Sequence, residues 1–222
     1  MTARTTTEAA LAHPVRSLLV IYALSRLVAV LGLWVAARWY QTPAGVGHLE
    51  PGLADMFRLW DTQWYHRIVT GGYPIPLPAD PETGEITYSA WAFFPLFPAL
   101  VRLVMYSGIG FTASAVALNL VLGAAATLLV WKVLSFPGHA DSQPARERLA
   151  FVAAALWCFY PATGVMLLPY TEALAALLIT GALLLPGLLL LLAVAGGLDR
   201  GLHLHRLNGG NGVPLGHDVA VL

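Results

Sequence analysis

A single carboxylate, Asp61, stands among aromatic side chains in residues 60–65 (WDTQWY). This segment follows the first long apolar run of the chain, so Asp61 is expected at the level of the membrane headgroups. A carboxylate at that depth is able to act as a general base toward a hydroxyl group of a membrane-held substrate. The alternative is a solvated charge on the polar side of an amphipathic helix.

Two more ionisable residues lie inside an apolar run or at its start. Glu172 begins the fourth apolar run, where a helix dipole favours a carboxylate by about 0.3–1 kcal/mol. Arg26 lies in the middle of the first run, where insertion costs about 2.5–3.5 kcal/mol. We therefore predict that Arg26 faces Asp61, Glu172 or a lipid phosphate. The alternative is a polar contact within the helical bundle.

The composition is that of an all-α integral membrane protein. Of 222 residues, 58% are hydrophobic and 11% are charged, against about 25% charged in soluble domains. Four apolar runs approach or exceed the ~20 residues that cross a bilayer; they are residues 17–37, 112–131, 149–168 and 173–195. The net charge is zero, so no nucleic-acid partner is implied.

Charge asymmetry predicts the orientation of these spans. Residues 39–90 hold six carboxylates and two arginines, whereas the loop 132–148 contains Lys132, Arg146 and Arg148. The positive-inside rule puts the N-terminus and that loop in the cytoplasm and residues 39–111 outside. We predict a multi-pass membrane protein whose N-terminus is cytoplasmic.

The outer loop is predicted to carry interfacial helices. Apolar residues recur at helical spacing from Leu53 to Ile68 and predict one amphipathic helix that ends at Gly71-Gly72. Residues 91–106 predict a second, short helix, and the prolines of residues 74–88 predict an extended loop. Asn119 is expected to hydrogen-bond between helices.

Three segments, taken in order, resemble the PIG-V family of mannosyltransferases, which comprises GPI mannosyltransferase 2 and its bacterial relatives. They are WDxxWYxxIxxxGY at residues 60–73, AFFPLFP at residues 92–98, and PA…PYTEAL at residues 161–174. The resemblance covers residues 17–185. It implies a GT-C-like multi-span helical bundle that transfers mannose from a polyprenyl-phosphate-mannose donor at the outer face, with no metal or other cofactor.

The resemblance also assigns the site residues. Asp61 is implied as the catalytic base, and Thr171 replaces the serine of the family's Tyr-Ser-Glu motif. The residues expected to bind the lipid-linked sugar donor and the membrane lipid around it are Trp60, Trp64, Tyr65, Arg26, Tyr170 and Glu172.

Family members continue with further spans, whereas residues 196–222 are rich in glycine and histidine. We therefore predict that residues 1–195 are a partial membrane domain and that the last 27 residues are a disordered or non-native tail of a truncated or frameshifted chain with little activity. The alternative functions are a non-catalytic membrane subunit, a lipid-binding scaffold, or a small transporter. Transport would favour repeated broken helices, and no internal repeat is visible.

Overall fold

A computed structural model of the chain describes residues 11–39, 52–136, 142–187 and 189. The chain divides into two units, residues 1–182 and 183–222, and the second is described only at residues 183–187 and 189. The described residues are mostly helical, with an isolated bridge between Ala79 and Ile86 and no strand. This confirms the prediction of an all-α protein. The predicted tail, residues 196–222, lies outside the described part.

Two helices are long and apolar enough to cross a membrane, as predicted for residues 17–37 and 112–131. Helix α1 covers Pro14–Trp39 and helix α5 covers Phe111–Leu134. At ~1.5 Å per residue, each exceeds the ~30 Å of a hydrocarbon core. Much of the α1 surface is exposed leucine and valine, including Leu24, Leu27 and Leu31. A surface of this kind fits contact with lipid.

The third apolar run is bent rather than a continuous helix over residues 149–168. Helix α6, Gln143–Phe159, is followed by a 3₁₀ helix, Pro161–Leu167, at an angle of 68°. The cause is local, because a residue before proline is driven out of the α region. Tyr160 accordingly has φ −61° and ψ 127°. The described residues therefore contain two candidate spans, or three if the bent pair counts as one.

The fourth predicted span, residues 173–195, is described only in its first part. Helix α7 covers Glu172–Gly187 and is apolar. Its 16 residues would reach about 24 Å, less than the hydrocarbon core of a bilayer. Most of residues 188–195 lies outside the described ranges.

The predicted amphipathic helix of the outer loop is two helices instead of one. Helix α2 covers Leu53–Met56 and helix α3 covers Thr62–Gly71. Trp60, between them, has φ 50°, a conformation that interrupts any right-handed helix. The prediction of a continuous helix is wrong for this reason, whereas its end is confirmed: Gly72, at φ 75°, donates its backbone N–H to the Ile68 carbonyl oxygen.

The second interfacial helix is shorter than predicted. A 3₁₀ helix, Ala90–Ala92, precedes helix α4, Leu96–Met105. Ten residues reach only ~15 Å, so α4 is too short to cross a bilayer. Residues 74–88 contain no helix, as predicted from their prolines.

Two hydrophobic cores hold the first unit together. One joins α1, α5 and α6 through Leu18, Trp131, Ala150, Phe151 and Ala154. The other joins α3, α4, the start of α5 and the residues on both sides of the start of α7; its members are Tyr65, Val69, Phe97, Val101, Phe111, Ala115, Leu168, Tyr170 and Leu174. This second core brings the predicted motif residues of the outer loop next to the start of α7.

We expect Gly123→Ala to destabilise the packing of α1 on α5. A Cβ at Gly123 would overlap the Tyr22 hydroxyl oxygen and lie 3.1 Å from Tyr22 Cζ, and Tyr22 is buried. Overpacking of this kind costs about 1–3 kcal/mol. Thermal unfolding in detergent should show a lower midpoint for Gly123→Ala than for wild type. Adding Tyr22→Phe to the Gly123→Ala protein should recover part of the lost midpoint, because it removes the hydroxyl oxygen that a Cβ would overlap. Gly32→Ala is the control, because a Cβ added at Gly32 would have no side chain of the described residues within 4 Å. Equal midpoints for the two alanine variants would contradict this packing.

Candidate active site

Asp61 lies at the break between α2 and α3. Its carbonyl oxygen accepts hydrogen bonds from the backbone N–H groups of Trp64 and Tyr65, at 3.0 and 3.2 Å. Its side chain makes no capping hydrogen bond and is exposed. The carboxylate is therefore accessible to a substrate at the start of α3. The preceding residue, Trp60, is also exposed and has the positive φ angle, a strained conformation that is common at functional sites.

Residues on both sides of Trp60-Asp61, namely Leu59 and Tyr65, contact the distant Tyr170-Thr171 segment. The Tyr170 hydroxyl donates to the Leu59 carbonyl oxygen at 3.2 Å. The Tyr65 hydroxyl lies 3.4 Å from Thr171 Oγ1 as donor. These contacts span more than 100 residues of sequence. Two of the three segments that carry the family resemblance are thus joined at one place.

The third segment, residues 92–98, packs behind the first. The Trp64 ring stacks on the Phe93 ring with centroids 5.9 Å apart. The Tyr65 ring packs edge-on against Phe93 and Phe97, at 5.1 and 5.2 Å. The guanidinium of Arg67 lies 4.8 Å from the centre of the Trp64 ring. Trp64 and Tyr65 therefore anchor α3 and hold Asp61 in place.

Asn119, in the middle of α5, fixes the segment before α7. Its side-chain amide is fully buried and donates to the carbonyl oxygens of Leu168 and Tyr170. The sequence predicted a hydrogen bond between helices. The partner is instead the turn that leads to Glu172, so Asn119 positions a predicted site residue.

Glu172 is a half-buried carboxylate at the first position of α7. One of its oxygens, Oε2, is buried and has no hydrogen-bond partner among the described residues. Burial raises the pKa of Glu172; its own backbone N–H lowers that pKa, and the nearby charge of Asp61 raises it. Glu172 therefore lies within the electrostatic influence of Asp61, and its Oε2 atom is available to accept a hydrogen bond.

The tyrosines of this cluster are neutral near pH 7. Burial raises the pKa of Tyr170 to about 12, and the charges of Asp61 and Glu172 also act to raise it. Burial likewise raises the pKa of Tyr65, against a lowering effect of its hydrogen bond to Thr171. Both hydroxyls remain hydrogen-bond donors, so the bases of this cluster are the two carboxylates.

Glu172→Gln should stabilise the protein at pH 7, because the ionised form of Glu172 is the one that burial disfavours. The cost is present above its raised pKa, shrinks as the pH falls through that pKa, and vanishes below the ordinary value of 4.5. Thermal unfolding in detergent should therefore give the variant a higher midpoint than wild type at pH 7 and an equal one near pH 4. Glu85→Gln, at an exposed carboxylate of the outer loop, is the control. A Glu172→Gln protein that is less stable than wild type at pH 7, but equally stable near pH 4, would contradict the expectation.

Arg26 is buried, as its cost in a bilayer requires, but its partners differ from those predicted. It donates to the carbonyl oxygens of Cys158 and Thr163, to Thr163 Oγ1 at 3.1 Å, and to Ser25 Oγ at 3.2 Å. The predicted contact with Asp61 or Glu172 is therefore wrong. The bend after α6 leaves helix-end carbonyl groups without intrahelical donors, and the guanidinium satisfies them. Contact with a lipid phosphate stays a prediction.

Some residues near Asp61 were not predicted as site residues. A cavity of about 580 Å³ is lined by Arg58, Thr62, Gln63, His66 and the first residues of α5. Arg58 and Asp61 are three residues apart, a spacing that puts both on one face of a helix, but Gln63 and His66 carry no such signal in the sequence.

No group of three or more His, Cys, Asp or Glu side chains suited to a metal ion occurs within residues 11–39, 52–136, 142–187 and 189. His203 and His205, in the glycine- and histidine-rich residues 196–222, lie outside these ranges. The predicted absence of a metal cofactor stays a prediction.

Comparisons of the chain with models of known families, with curated proteins and with solved structures find no match. What the structure establishes is an α-helical protein with at least two helices suited to crossing a membrane.

Proposed function

We propose that this protein is a membrane-bound glycosyltransferase of the PIG-V and GT-C type, which moves mannose from polyprenyl-phosphate-mannose to an acceptor hydroxyl group at the outer face of a bacterial plasma membrane. Asp61 is the general base. Trp60 and the segment Tyr170–Glu172 contact the substrates. Trp64 and Tyr65 hold these groups in position.

One observation carries the proposal: the Tyr170 hydroxyl donates a hydrogen bond to the Leu59 carbonyl oxygen, which brings the segment before Glu172 against the segment before Asp61. Residues that resemble separate motifs of one enzyme family are expected to meet if they form one active site. In this chain the two segments are adjacent. One carries an exposed carboxylate, Asp61, and the other a half-buried one, Glu172. A scaffold protein has no need of this arrangement.

The reaction needs one base and no acid. The acceptor oxygen attacks the anomeric carbon of mannose while Asp61 takes the hydroxyl proton. The bond from that carbon to the phosphate oxygen breaks, and the electron pair leaves with the phosphate. Since the second pKa of a phosphate ester is about 6, the leaving group requires no protonation, unlike the alkoxide released in glycoside hydrolysis. Glu172 has an unpaired oxygen with which to accept a hydrogen bond from a sugar hydroxyl.

The proposed orientation places the N-terminus in the cytoplasm and residues 39–111 outside. It rests on the distribution of lysine and arginine and predicts opposite labelling of two loops. In a Cys158→Ala background, a cysteine at Thr83 should react with an impermeant maleimide applied to intact cells. A cysteine at Ser142 should react only after the cells are opened. Labelling of Ser142→Cys in intact cells, with protection of Thr83→Cys, would reverse the orientation.

A donor comparison tests the function. The purified chain in liposomes receives an extract of bacterial lipids as acceptor and mannose-labelled donor, either polyprenyl-phosphate-mannose or GDP-mannose. The proposal expects label to pass from the lipid-linked donor into new products and GDP-mannose to remain intact. Transfer from GDP-mannose alone would overturn the donor assignment, and no transfer from either would leave the enzyme proposal without support in this chain.

A further inference from the structure

Residues 75–88 form a short hairpin with a defined register. Ala79 and Ile86 pair as an antiparallel bridge. Next to this bridge, the Thr87 N–H donates to the Pro78 carbonyl oxygen at 3.0 Å. Residues directly opposite each other in such a pair have their side chains on the same face, and successive residues alternate between the two faces. The register therefore assigns each side chain of the hairpin to one of two faces.

One face of the hairpin is apolar and exposed. Ala79 and Ile86 belong to it, together with Leu77 and Tyr88, which lie opposite each other two residues farther from the turn. Ile86 is 67% exposed and Tyr88 is 94% exposed. Ile75, two residues before Leu77, is 86% exposed. The apolar face therefore extends along the whole hairpin.

The other face of the hairpin is turned toward α3. Pro78, Thr87 and Ser89 are among the residues that line a cavity of about 570 Å³, and this cavity is also lined by Trp64 and Arg67 of α3. The apolar residues 75, 77 and 86 are not among its lining residues. The hairpin thus turns polar groups and a proline toward the helix and leaves its apolar side chains exposed.

The three carboxylates of the hairpin lie at its turn or on the face opposite the apolar one. The Asp80 carboxylate accepts hydrogen bonds from the backbone N–H groups of Glu82 and Thr83, each at 2.9 Å. These bonds, that from Thr83 first, lower the pKa of Asp80, so the group is ionised near pH 7. Glu85 lies opposite Asp80 and shares its face. Charges of this kind are costly inside a bilayer, and the apolar face carries none.

The base of the hairpin is fixed near the end of a candidate membrane span. The Trp91 indole N–H donates to the Pro74 carbonyl oxygen at 2.9 Å, and the Tyr73 hydroxyl donates to the Phe93 carbonyl oxygen at 2.8 Å. Phe93 packs against the hydrophobic core that contains Phe111, the first residue of α5. Because α5 is longer than the hydrocarbon core of a bilayer is thick, Phe111 lies near a bilayer surface. The hairpin begins and ends close to that depth.

Exposed aromatic side chains extend the apolar surface of the hairpin. Trp91 and Phe94, which follow the hairpin in the chain, are 52% and 83% exposed. Tryptophan and tyrosine are enriched where a protein meets the headgroup region of a bilayer, whereas proteins in water rarely leave a large apolar patch exposed. Lipid is also the partner that the neighbouring span requires. These observations favour lipid over a second protein as the partner of this face.

We propose that the apolar face of the hairpin, residues 75–88, inserts into the bilayer at the level of the headgroups and the first part of the acyl chains, with the acidic turn in water. The hairpin would act as a membrane anchor beside the span α5 and would hold the loop between α3 and α4 against the lipid surface. This proposal is independent of the proposed function, because contact with lipid requires no substrate and no transfer of mannose.

The emission of an environment-sensitive fluorophore tests the insertion. In a Cys158→Ala background, the fluorophore NBD is attached to Ile86→Cys or to Leu77→Cys. The full chain is then reconstituted in phosphatidylcholine vesicles, with or without phosphatidylcholine that carries a nitroxide on an acyl chain. Glu85→Cys is the matched control, because residue 85 is the neighbour of Ile86 on the other face. Emission from positions 77 and 86 should be shifted to shorter wavelength relative to position 85, and the nitroxide lipid should quench it more strongly.

The wavelength and the quenching together decide between the possible partners of this face. Emission typical of water at positions 77 and 86, in variants with the thermal midpoint of wild type, would overturn the proposal. Shifted emission that the nitroxide lipid does not quench would overturn the assignment to lipid and indicate that protein, such as a second copy of the chain, covers the face. If one labelled variant fails to fold, the other position gives the same test.

Discussion

Asp61→Asn, in an active version of this protein, is expected to lower the transfer of mannose from polyprenyl-phosphate-mannose by about 10²-fold or more, the usual effect of losing a general base. Asparagine keeps the shape of the side chain but takes no proton. The exposed position of Asp61 and its freedom from capping mean that the substitution should leave the fold intact. The rate of transfer, measured with saturating donor, should fall while the thermal midpoint stays near that of wild type.

Glu85→Gln provides the matched control for Asp61→Asn. It removes another exposed carboxylate from the same outer loop and should leave the transfer rate unchanged. Near-normal turnover by the Asp61→Asn protein would remove Asp61 from the mechanism, and equal losses in the two variants would indicate a general effect of surface charge.

The second large effect is expected for Arg26→Leu. This change removes the donors to the Cys158 and Thr163 carbonyl oxygens and to Thr163 Oγ1. Because hydrogen bonds to a charged group contribute about 1.5–3 kcal/mol, the free energy of unfolding should fall by about that amount. Insertion into the membrane should persist, since leucine is favoured in a bilayer. Transfer of mannose should also fall, because the bend after α6 leads directly to Tyr170 and Glu172.

Arg26→Lys distinguishes packing from charge at this position. Lysine keeps the positive charge but lacks the planar fork that reaches several acceptors at once. It should therefore recover only part of the stability lost in Arg26→Leu, as measured by thermal unfolding in detergent. An Arg26→Leu protein with unchanged stability and unchanged activity would contradict the claim that Arg26 stabilises the bend after α6 through its hydrogen bonds. A variant of normal stability that has lost affinity for the donor would favour phosphate contact instead.

The two long helices could be predicted from the sequence because a bilayer requires about 20 apolar residues in a row. Pro161 also gave a usable signal: a residue before proline avoids the α region, and the bend at Tyr160 follows from that preference. The prediction of one continuous span over residues 149–168 missed the bend, because hydropathy measures how apolar the residues are and not their backbone geometry.

Other features had no local signal. The spacing of Leu53, Phe57, Trp60 and Trp64 is helical, yet the backbone leaves the helix at Trp60. The spacing of apolar residues shows which side chains would share a helix face. It cannot show that the backbone of one residue, here Trp60, leaves the helical conformation. The partners of Arg26 are 132 and 137 residues away, and the sequence predicted only that it must have partners.

The motif resemblance predicted which residues to examine at the candidate site, but the contacts between them are tertiary. The bond from Tyr170 to Leu59 and the role of Asn119 depend on α5 passing behind the start of α7. The cavity at Arg58 and His66 likewise arises where α3 meets α5, and no spacing in the sequence marks it.

Photo-labelling with a polyprenyl-phosphate-mannose analogue that carries a diazirine on the sugar tests the central claim most directly, because it requires binding and no turnover. After irradiation of the purified protein, peptides identified by mass spectrometry should carry label both near Asp61 and near Glu172, and unlabelled donor should compete for both positions. Label confined to the apolar helices, or insensitive to competition, would contradict the claim that these two segments form one site for a lipid-linked sugar.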